Sequence, residues 1–443
     1  MKSVKNNLYF KVAIIIFIAL LLMIPTAMID NLISDREETQ TKAIEEVSDK
    51  WAKQQTISGP FLSIPFYRYV KETNAKENTE KIVKFKEYLH ILPTDLKINS
   101  KVKPEHRYRG IYEIVVYNSK ITISGTFSNL DVSKFDIPVK DLLIDKANIC
   151  VGIDDLRGIE KQINLNWNQE HFSFNPGVIT NDVVESGINA TVKLDPTMDH
   201  NYTFSFDLDL KGSQLLYFTP VGKISDISME SPWKNPSFNG AFLPDSRKIS
   251  NEGFSANWNV LHLNRNYPQS WIGNKHNIGE SAFGVDLLLP IDNYQKSYRC
   301  IRYAILFIGF TFLVFFFIEI LNKKFIHPIQ YILVGFGLLV FYTLLLSISE
   351  YLNFNYAFII AAIATLILNI GYVKAILKSS KLAYFIGAML FILYAFIFII
   401  IQLQDLALLI GSIGIFIILG LVMYYSRKID WYNLNGLEEN KEQ

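Results

Sequence analysis

The chain has 443 residues, of which 50% are hydrophobic and 14% are aromatic, and its formal net charge is +1. This hydrophobic share is high for a soluble protein. Because lysine and arginine are interspersed with acidic residues, the composition argues against a nucleic-acid-binding protein. The apolar residues are concentrated in residues 12–29 and 301–425, on either side of a long segment of ordinary charge content.

Six segments are long and apolar enough to cross a membrane as α-helices. Such a helix needs about 20 mainly apolar residues, because each residue rises 1.5 Å and the hydrocarbon layer is about 30 Å thick. The predicted spans are residues 11–29, 301–321, 329–349, 355–373, 382–402 and 405–425. We interpret the first span as a retained anchor, because its apolar run is longer than a signal-peptide core and Pro25-Thr26-Ala27 is a poor cleavage sequence.

Positive charges in the short loops predict the orientation of the spans, because lysine and arginine are retained on the cytoplasmic side. They lie at the N-terminal side of the first span and follow the second, fourth and sixth spans, at Lys2, Lys5, Lys11, Lys323, Lys324, Lys374, Lys378, Lys381, Arg427 and Lys428. The alternate loops at 350–354 and 403–404 contain neither residue type. We therefore predict two cytoplasmic termini and an extracytoplasmic segment at 30–299. Glu350 is then expected to end the third span at the outer surface, in reach of water.

The spans divide the chain into predicted domains. These are a cytoplasmic N-terminus (1–10), an anchor (11–29), an extracytoplasmic domain (30–299), a five-helix bundle (300–425) and a cytoplasmic tail (426–443). Residues 34–55 are predicted to form a juxtamembrane helix, since Ile44, Val47 and Trp51 recur at helical spacing. Beyond Gly59, short alternating segments between turn residues predict an antiparallel β-sandwich or paired sheets, with residues 74–83 as an exposed loop or insertion.

The sequence offers no familiar catalytic or metal-binding motif. Six of the seven histidines lie in the predicted extracytoplasmic domain without zinc-like spacing, at His90, His106, His171, His200, His262 and His276. A nucleophile elbow and a phosphate-binding loop are also missing. Cys150 and Cys300 are interpreted as two buried thiols, although a disulfide between them is an open alternative. We therefore expect no catalytic residues, no metal and no cofactor.

Two groups of residues are candidate functional sites. Glu319 lies inside the second span near its predicted cytoplasmic end, where a charge is costly, and pairing with Lys323 is the structural alternative. Gln330 and Asn369 are expected near the same inner face. The second group belongs to a turn-rich aromatic stretch that is a candidate glycan- or peptide-binding face, although packing is the favoured role. Its members are Trp233, Phe238, Phe242, Trp258 and Trp271.

Several long segments resemble the CreD family of bacterial inner-membrane proteins. They include HPIQYILVGFGLLVFYTLLLSISEYLNFNYAFIIAAIATL, DLALLIGSIGIFIILGLVMYYSRKIDWY and DLKGSQLLYFTPVGK. The resemblance covers nearly the whole chain and is weakest around residues 68–110. It implies a Gram-negative inner-membrane location and a role in cell-envelope integrity, associated with envelope stress and β-lactam tolerance. It supplies no catalytic mechanism and no site residues.

Two functions are compatible with these observations. The leading hypothesis is a non-enzymatic protein of the bilayer whose extracytoplasmic domain binds an envelope protein or a cell-wall ligand. The alternative is a lipid or small-molecule transporter or flippase that uses the C-terminal bundle, where glycines permit close helix packing. These glycines are Gly335, Gly337, Gly411 and Gly414. Against transport, the spans contain no relay of acidic residues through the bilayer centre. An enzyme is a third, less favoured possibility.

Overall fold

The computed structural model describes residues 8–74, 79–128, 130, 132–195, 200–287, 293–322, 325–403 and 406–427. The chain divides into two compact units. The helical unit consists of Met1–Gln40 and Ile291–Gln443, and the β unit consists of Thr41–Pro290. Several of the lysines used to predict orientation lie outside the described residues, namely Lys2, Lys5, Lys323, Lys324 and Lys428.

The described residues form eight α-helices. They are α1 (Leu8–Leu21), α2 (Met23–Trp51), α3 (Asn293–Arg302), α4 (Ala304–Leu321), α5 (Pro328–Ser349), α6 (Phe354–Leu377), α7 (Ser380–Gln402) and α8 (Ala407–Ser426). Six helical stretches are long and apolar enough to cross a membrane: Phe10–Trp51, Asn293–Leu321, Pro328–Ser349, Phe354–Leu377, Ser380–Gln402 and Ala407–Tyr424. This confirms the predicted arrangement of one N-terminal and five C-terminal spans.

Polar side chains define the hairpin between α5 and α6. Helix α5 ends at Ser349 and is followed by Glu350, as the sequence predicts. The Glu350 carboxylate accepts a hydrogen bond from the Tyr294 hydroxyl at 3.4 Å, and its Oε1 lies 3.5 Å from Arg36 Nε. Asn353 caps α6 by accepting a hydrogen bond from the Asn355 backbone N–H at 3.0 Å. Such capping satisfies a backbone group that the helix leaves unpaired.

The β unit contains seventeen described strands. The first nine are β1 (Gln55–Asn74), β2 (Thr79–Ile91), β3 (Asp95–Arg109), β4 (Tyr112–Phe127), β5 (Asn148–Ile153), β6 (Asn164–Trp167), β7 (Glu170–Ser173), β8 (Asn175–Pro176) and β9 (Gly187–Thr191). The others are β10 (Tyr202–Ser213), β11 (Leu215–Thr219), β12 (Ile224–Ser231), β13 (Pro236–Gly240), β14 (Ser246–Ser250), β15 (Gly253–Leu261), β16 (Ser270–Ile272) and β17 (Phe283–Leu287).

These strands form two sheets around one hydrophobic core. The first sheet has the order β13-β17-β11-β1-β5-β9-β8, and β2 joins β1 to β16 beside this path. The second has the order β14-β15-β12-β3-β4-β10-β6-β7. Among the described pairs, β1 with β11 and β12 with β3 are parallel, and the others are antiparallel. Two sheets that share one core agree with the predicted sandwich type.

Strand alternation explains how the core forms. Along β3, Leu96, Ile98, Ser100 and Val102 are buried, and the residues that alternate with them are exposed. Successive side chains of a strand point to opposite faces, so one face of the sheet is apolar. Tyr117 of β4 and Phe218 of β11 are fully buried and come from the two different sheets. The core therefore lies between the sheets, where burial of each large apolar side chain contributes about 1.5–3 kcal/mol.

A hydrogen-bonded carboxylate marks the connection between α2 and β1. The sequence predicts a helix to residue 55, but α2 ends at Trp51. The Asp155 carboxylate accepts hydrogen bonds from the Lys53 backbone N–H at 2.9 Å and from the Arg157 guanidinium at 2.8 Å. The buried Gln55 side chain bonds to the Asp155 backbone. These contacts stabilise the extended conformation here, and the Arg157 hydrogen bonds lower the pKa of Asp155 to about 2.

A two-stranded arm extends from the first sheet. β1 pairs with β11 up to Ser58 and with β5 up to Ser63, whereas its pairing with β2 continues to Asn74. We define the arm as residues 67–74 and 79–86. The sequence predicts a loop at 74–83, but residues 79–83 belong to β2, because the hairpin ladder continues through this charged stretch. Residues 75–78 lie outside the described part.

Candidate functional site

A buried ion pair connects three helices of the helical unit. Glu319 of α4 is 7% exposed, and its Oε1 accepts hydrogen bonds from Lys11 Nζ and from the Ile326 backbone N–H at 3.0 Å. Its Oε2 accepts a hydrogen bond from the Tyr331 hydroxyl at 3.2 Å. Lys11 Nζ also lies 4.3 Å from the centre of the Phe325 ring. We call Lys11, Glu319, Phe325, Ile326 and Tyr331 the Glu319 cluster.

The Glu319 cluster is suited to holding helices together. A charge in an apolar environment is costly unless it is paired and hydrogen-bonded. Both carboxylate oxygens of Glu319 have donors, and these donors come from α1, α5 and the segment before α5. The cluster therefore attaches the N-terminal anchor to the C-terminal bundle. Lys323, the partner considered from the sequence, lies outside the described residues.

The other two predicted polar residues have separate surroundings. Gln330 accepts a hydrogen bond from the His327 backbone N–H at 3.0 Å and so caps the start of α5. Asn369 is 2% exposed within α6, and its amide donates to the Thr365 carbonyl at 2.9 Å. In the described contacts, neither Gln330 nor Asn369 is hydrogen-bonded to Glu319. A shared functional role of the three residues stays a prediction.

Two glycines of α5 permit close approach of other helices, as the sequence suggests. A Cβ atom at Gly335 would lie 2.2 Å from the side chain of Leu22. Leu22 connects α1 to α2 and is fully buried. A Cβ atom at Gly337 would lie 2.8 Å from the Asn369 side-chain oxygen. The Leu22 contact is a second attachment of the anchor to α5, in addition to the Glu319 cluster. Close packing of this kind is a main source of association between membrane helices.

The aromatic residues predicted for a binding face lie in the β core. Trp258 is 2% exposed and packs 5.9 Å from the Phe238 ring centre, while Phe242 is partly buried. Trp233 packs beside another ring, 5.4 Å from His106. Trp271 also belongs to the hydrophobic core, where it is 3% exposed. These side chains do not form one exposed surface, so the packing role that the sequence favours agrees with their positions.

The structure also brings together a polar chain that sequence motifs do not reveal. Ser63 of β1 and His90 of β2 are directly paired, and the Ser63 hydroxyl lies 2.9 Å from His90 Nδ1. His90 Nε2 lies 3.2 Å from the Asp182 carboxylate. The Ser63 hydroxyl is also a hydrogen-bond partner of the Cys150 sulfur. The signal in the sequence is weak, because these four residues are far apart along the chain. Strand pairing brings Ser63 and His90 together, whereas Asp182 comes from the connection between β8 and β9.

The polar chain of Ser63, His90 and Asp182 has the residue types of a hydrolase triad, but it is closed to substrate. Ser63 and His90 are both 0% exposed, and the Trp271 ring centre packs 5.7 Å from that of His90. A nucleophilic serine must reach the substrate carbonyl, and Ser63 has no such access. Burial lowers the pKa of His90 against the opposing effect of Asp182. Burial also raises the pKa of the Cys150 thiol to about 12, so an unreactive neutral thiol is expected.

In contrast to the core, the arm exposes apolar and aromatic side chains. Ile82 is 63% exposed, Tyr69 is 51% exposed, Phe85 is 43% exposed and Val70 is 40% exposed. Burying such side chains against a partner is favourable at about 25 cal/mol per Å² of apolar surface. The arm thus combines exposed apolar surface with two strand edges that have no described partner strand. Both features are typical of interaction surfaces.

The two faces of the arm differ in charge. On one face, Tyr67 is paired with Lys86, and Tyr69 is paired with Lys84. Lys84 Nζ lies 3.4 Å from the centre of the Tyr67 ring, a cation–π contact that leaves the ammonium group without a described carboxylate. The opposite face includes Arg68 and Glu87, which form an ion pair at 3.3 Å. The tyrosine-lysine face is therefore positively charged.

In the part of the chain that the structure describes, no group of three or more histidine, cysteine, aspartate or glutamate side chains is placed to hold a metal ion. The described geometry therefore offers an ion pair, a closed polar chain and an exposed arm. The last of these has the surface and accessibility that partner binding requires.

Comparisons with known proteins identify relatives across the full length. The family profile described as "Inner membrane protein CreD" matches residues 7–432. The chain is 30% identical over 447 aligned residues to the inner membrane protein CreD of Escherichia coli (strain K12), and the match covers 99% of this chain and 97% of that protein.

Solved structures of M1 zinc metallopeptidases are similar to part of the chain. An M1 zinc metallopeptidase from Deinococcus radiodurans matches with 9% identity and a TM-score of 0.19, over 39% of this chain and 38% of the peptidase. A two-domain M1 zinc metallopeptidase bound to L-tryptophan matches with 10% identity and a TM-score of 0.17, over 38% of this chain and 40% of that chain. Scores this low support no inference about fold or chemistry.

Proposed function

Because the chain belongs to the CreD family of inner membrane proteins, we propose that it is a non-enzymatic protein supporting cell-envelope integrity, and that its arm binds an envelope protein. Its helices anchor it in the bilayer as a multi-pass inner-membrane protein. In this proposal both termini are cytoplasmic and residues 30–299 are periplasmic. The observation that carries the proposal is the exposed apolar arm.

The physical chemistry of the arm supports protein binding. Tyrosine is enriched at binding hot spots, because it offers a large apolar ring and a polar hydroxyl group. Tyr69 and Ile82 provide exposed side chains on the same arm face. Tyr69 and Lys71 are two residues apart in β1 and therefore point to the same face, and Ile82 is paired directly with Lys71, as Lys84 is with Tyr69. The unpaired strand edges can accept a strand of a partner by β-augmentation. A partner with acidic side chains would complement Lys84 and Lys86.

The closed polar chain supports a function without catalysis. Ser63 and His90 have the hydrogen bond that a nucleophilic serine requires, but both are buried in the sheet. The Asp182 side chain is 25% exposed and is the member of the chain nearest to solvent. A structural role in fixing β2 against β1 accounts for these contacts. Hydrolysis of a cell-wall or lipid substrate by the purified protein, lost in Ser63→Ala, would contradict this interpretation.

Photo-crosslinking in living cells tests binding by the arm. A photoreactive phenylalanine analogue replaces Tyr69 or Ile82 in the full-length protein, and captured proteins are identified by mass spectrometry. Leu263 is the matched control, because it is 80% exposed but lies outside the arm. We expect the same envelope protein to be captured from both arm positions and not from the control. Equal capture from all three positions, or capture from none, would contradict the proposal.

Transport by the helical unit is a second candidate function. The observation that favours it is an apolar groove between α4, α7 and α8. The Glu319 cluster is the polar site available to such a mechanism, and Glu319→Gln keeps the shape of the side chain while removing its charge. An unchanged envelope phenotype in Glu319→Gln, at normal protein abundance, would count against transport through this cluster.

A further inference from the structure

The groove in the helical unit is lined mainly by apolar side chains. It has a volume of about 980 Å³ and lies between α4, α7 and α8. Sites for small molecules usually have volumes of about 300–1,000 Å³. Residues that represent its three walls are Phe310, Phe317, Phe385, Ile392, Ile417 and Leu421. The groove is therefore large enough for a lipid-sized ligand, and its walls are apolar.

Loose packing of α8 leaves this space open. In the apolar stretch of α8, 6% of the residues are buried, compared with 44% in that of α7. The two helices approach each other closely at Gly414, where a Cβ atom would lie 2.1 Å from the Phe396 ring. Gly414 and Phe396 also line the groove. The remaining groove surface of α8 is thus available to a ligand instead of to another helix.

The polar groups of the groove are confined to one end. They are Asn322 at the end of α4, and Ser379 and Lys381 at the start of α7. Lys381 is exposed, and within the described contacts no carboxylate is paired with it. The Ser379 side chain makes no capping hydrogen bond to α7. All other lining residues are apolar, so the groove has one cationic end and an apolar body.

The length of the groove corresponds to one leaflet of a bilayer. Along α4 its lining extends from Phe310 to Asn322, which is about 18 Å at 1.5 Å per residue. Half of a hydrocarbon layer is about 15 Å. An acyl chain that lies in the groove therefore reaches from the polar end toward the bilayer centre. The ligand expected from this geometry has an extended apolar chain and an anionic group at one end.

We propose that this groove binds an anionic phospholipid. One acyl chain lies between α4, α7 and α8, and the phosphate group is bound by Lys381 with hydrogen bonds from Ser379 and from the second N–H of the Asn322 amide, whose other N–H donates to the Ile318 carbonyl at 3.0 Å. Charge complementarity at Lys381 selects an anionic headgroup, and the apolar walls select the chain. The proposal is independent of partner binding by the arm. It makes the helical unit a lipid-binding unit as well as an anchor.

Native mass spectrometry of the delipidated full-length protein tests this proposal, with dioleoyl phosphatidylglycerol and dioleoyl phosphatidylcholine as probes. The acyl chains are identical, so only the headgroup differs. We expect tighter binding of phosphatidylglycerol, and a loss of about fivefold in its affinity in Lys381→Gln. That change corresponds to about 1 kcal/mol, which is at the upper end for an exposed ion pair.

Matched variants separate the groove from the rest of the lipid-facing surface. Lys374→Gln removes an exposed lysine at the end of α6 that does not line the groove. Ala388→Trp fills the groove, and Ile363→Trp adds the same bulk at a 52% exposed position outside it. We expect weaker binding only in Lys381→Gln and Ala388→Trp. If Ala388→Trp does not fold, the comparison of Lys381→Gln with Lys374→Gln tests the proposal on its own. Equal binding of both lipids, or equal effects of both lysine variants, would overturn the proposal.

Discussion

In the core of the β unit, aromatic side chains are buried, whereas in the arm of the first sheet aromatic and aliphatic side chains are exposed. Trp258 and Phe238 pack against each other and are at most 8% exposed. Tyr69 and Ile82 are more than half exposed although they belong to strands that continue directly from the core. The strands β1 and β2 thus serve two purposes along their length. Their inner halves stabilise the fold, and their outer halves offer a surface.

This difference separates stability from binding. A substitution at a buried polar contact should lower the free energy of unfolding, because the remaining partner is left buried without a hydrogen bond. A substitution on the arm should leave that free energy nearly unchanged, because surface side chains away from special contacts contribute little. The following predictions are arranged from the largest expected loss of stability to the smallest.

Breaking the Glu319 cluster should have the largest effect on stability. Replacing Glu319 by Ala leaves Lys11 without its carboxylate in a largely apolar setting, since the Lys11 side chain is 20% exposed. Removing one partner of a buried ion pair costs about 3–5 kcal/mol, and we expect a loss of about 3 kcal/mol. Thermal unfolding of the full-length protein in detergent, followed by circular dichroism, measures it.

A double variant provides the control for this prediction. Lys11→Met combined with Glu319→Met removes both charges and keeps apolar bulk, so it should be more stable than either single variant. If the two single substitutions add independently in the double variant, Lys11 and Glu319 do not act as a pair. The interpretation of the cluster as an attachment of the anchor would then be wrong.

Replacing His90 by Gln should have an intermediate effect. The hydrogen bond between His90 and Ser63 is buried and the one between His90 and Asp182 is partly buried, and their disruption should cost about 1–3 kcal/mol. Thermal unfolding of the full-length protein near neutral pH measures this loss. Asp182→Asn is the control for the solvent-facing end of the Ser63–His90–Asp182 polar chain, because the Asp182 side chain is partly exposed.

The pH dependence of stability should reveal the protonation of His90. Its pKa is lowered by burial from the ordinary value of 6.5, so the unfolded chain binds more protons as the pH falls below 6.5. Stability that depends on neutral His90 is therefore present above 6.5 and is lost as the pH falls toward the folded-state pKa. His90→Gln should remove this part of the slope. Asp155, with a pKa of about 2, loses its contribution only at far lower pH. An unchanged slope in His90→Gln would contradict the assignment.

The smallest loss of stability is expected on the arm. Ile82→Ser removes an apolar side chain that is 63% exposed, so the free energy of unfolding should change by less than about 0.5 kcal/mol. Crosslinking from position 69 to the envelope protein should nevertheless decrease, because the two side chains share one face. Leu263→Ser is the matched surface control. A decrease of equal size in both variants would show that the arm has no special role.

The sequence was sufficient to predict the six spans and the β-rich domain, because apolar runs and period-two alternation are local patterns. It did not locate the exposed surface. A tryptophan in an alternating strand, such as Trp258, gives the same sequence pattern whether its face of the sheet is covered by a second sheet or exposed to solvent. For residues 74–83, at the end of the arm, the sequence predicts an exposed loop or insertion, because the charged residues there obscure the alternation. Pairing of Ser63 with His90 depends on strand register, and the partnership of Lys11 with Glu319 depends on helix packing between distant segments.

The most direct test of binding by the arm is to remove it. Joining Phe66 to Glu87, which are paired residues at the base of the arm, through an Asn-Gly turn keeps the ladder of β1 and β2 intact. Thermal unfolding and envelope integrity are then measured for the full-length variant in cells that lack the native protein. Our account predicts nearly unchanged thermal stability together with loss of envelope integrity and of the crosslinked partner. Full envelope integrity in a stable variant without the arm would contradict it.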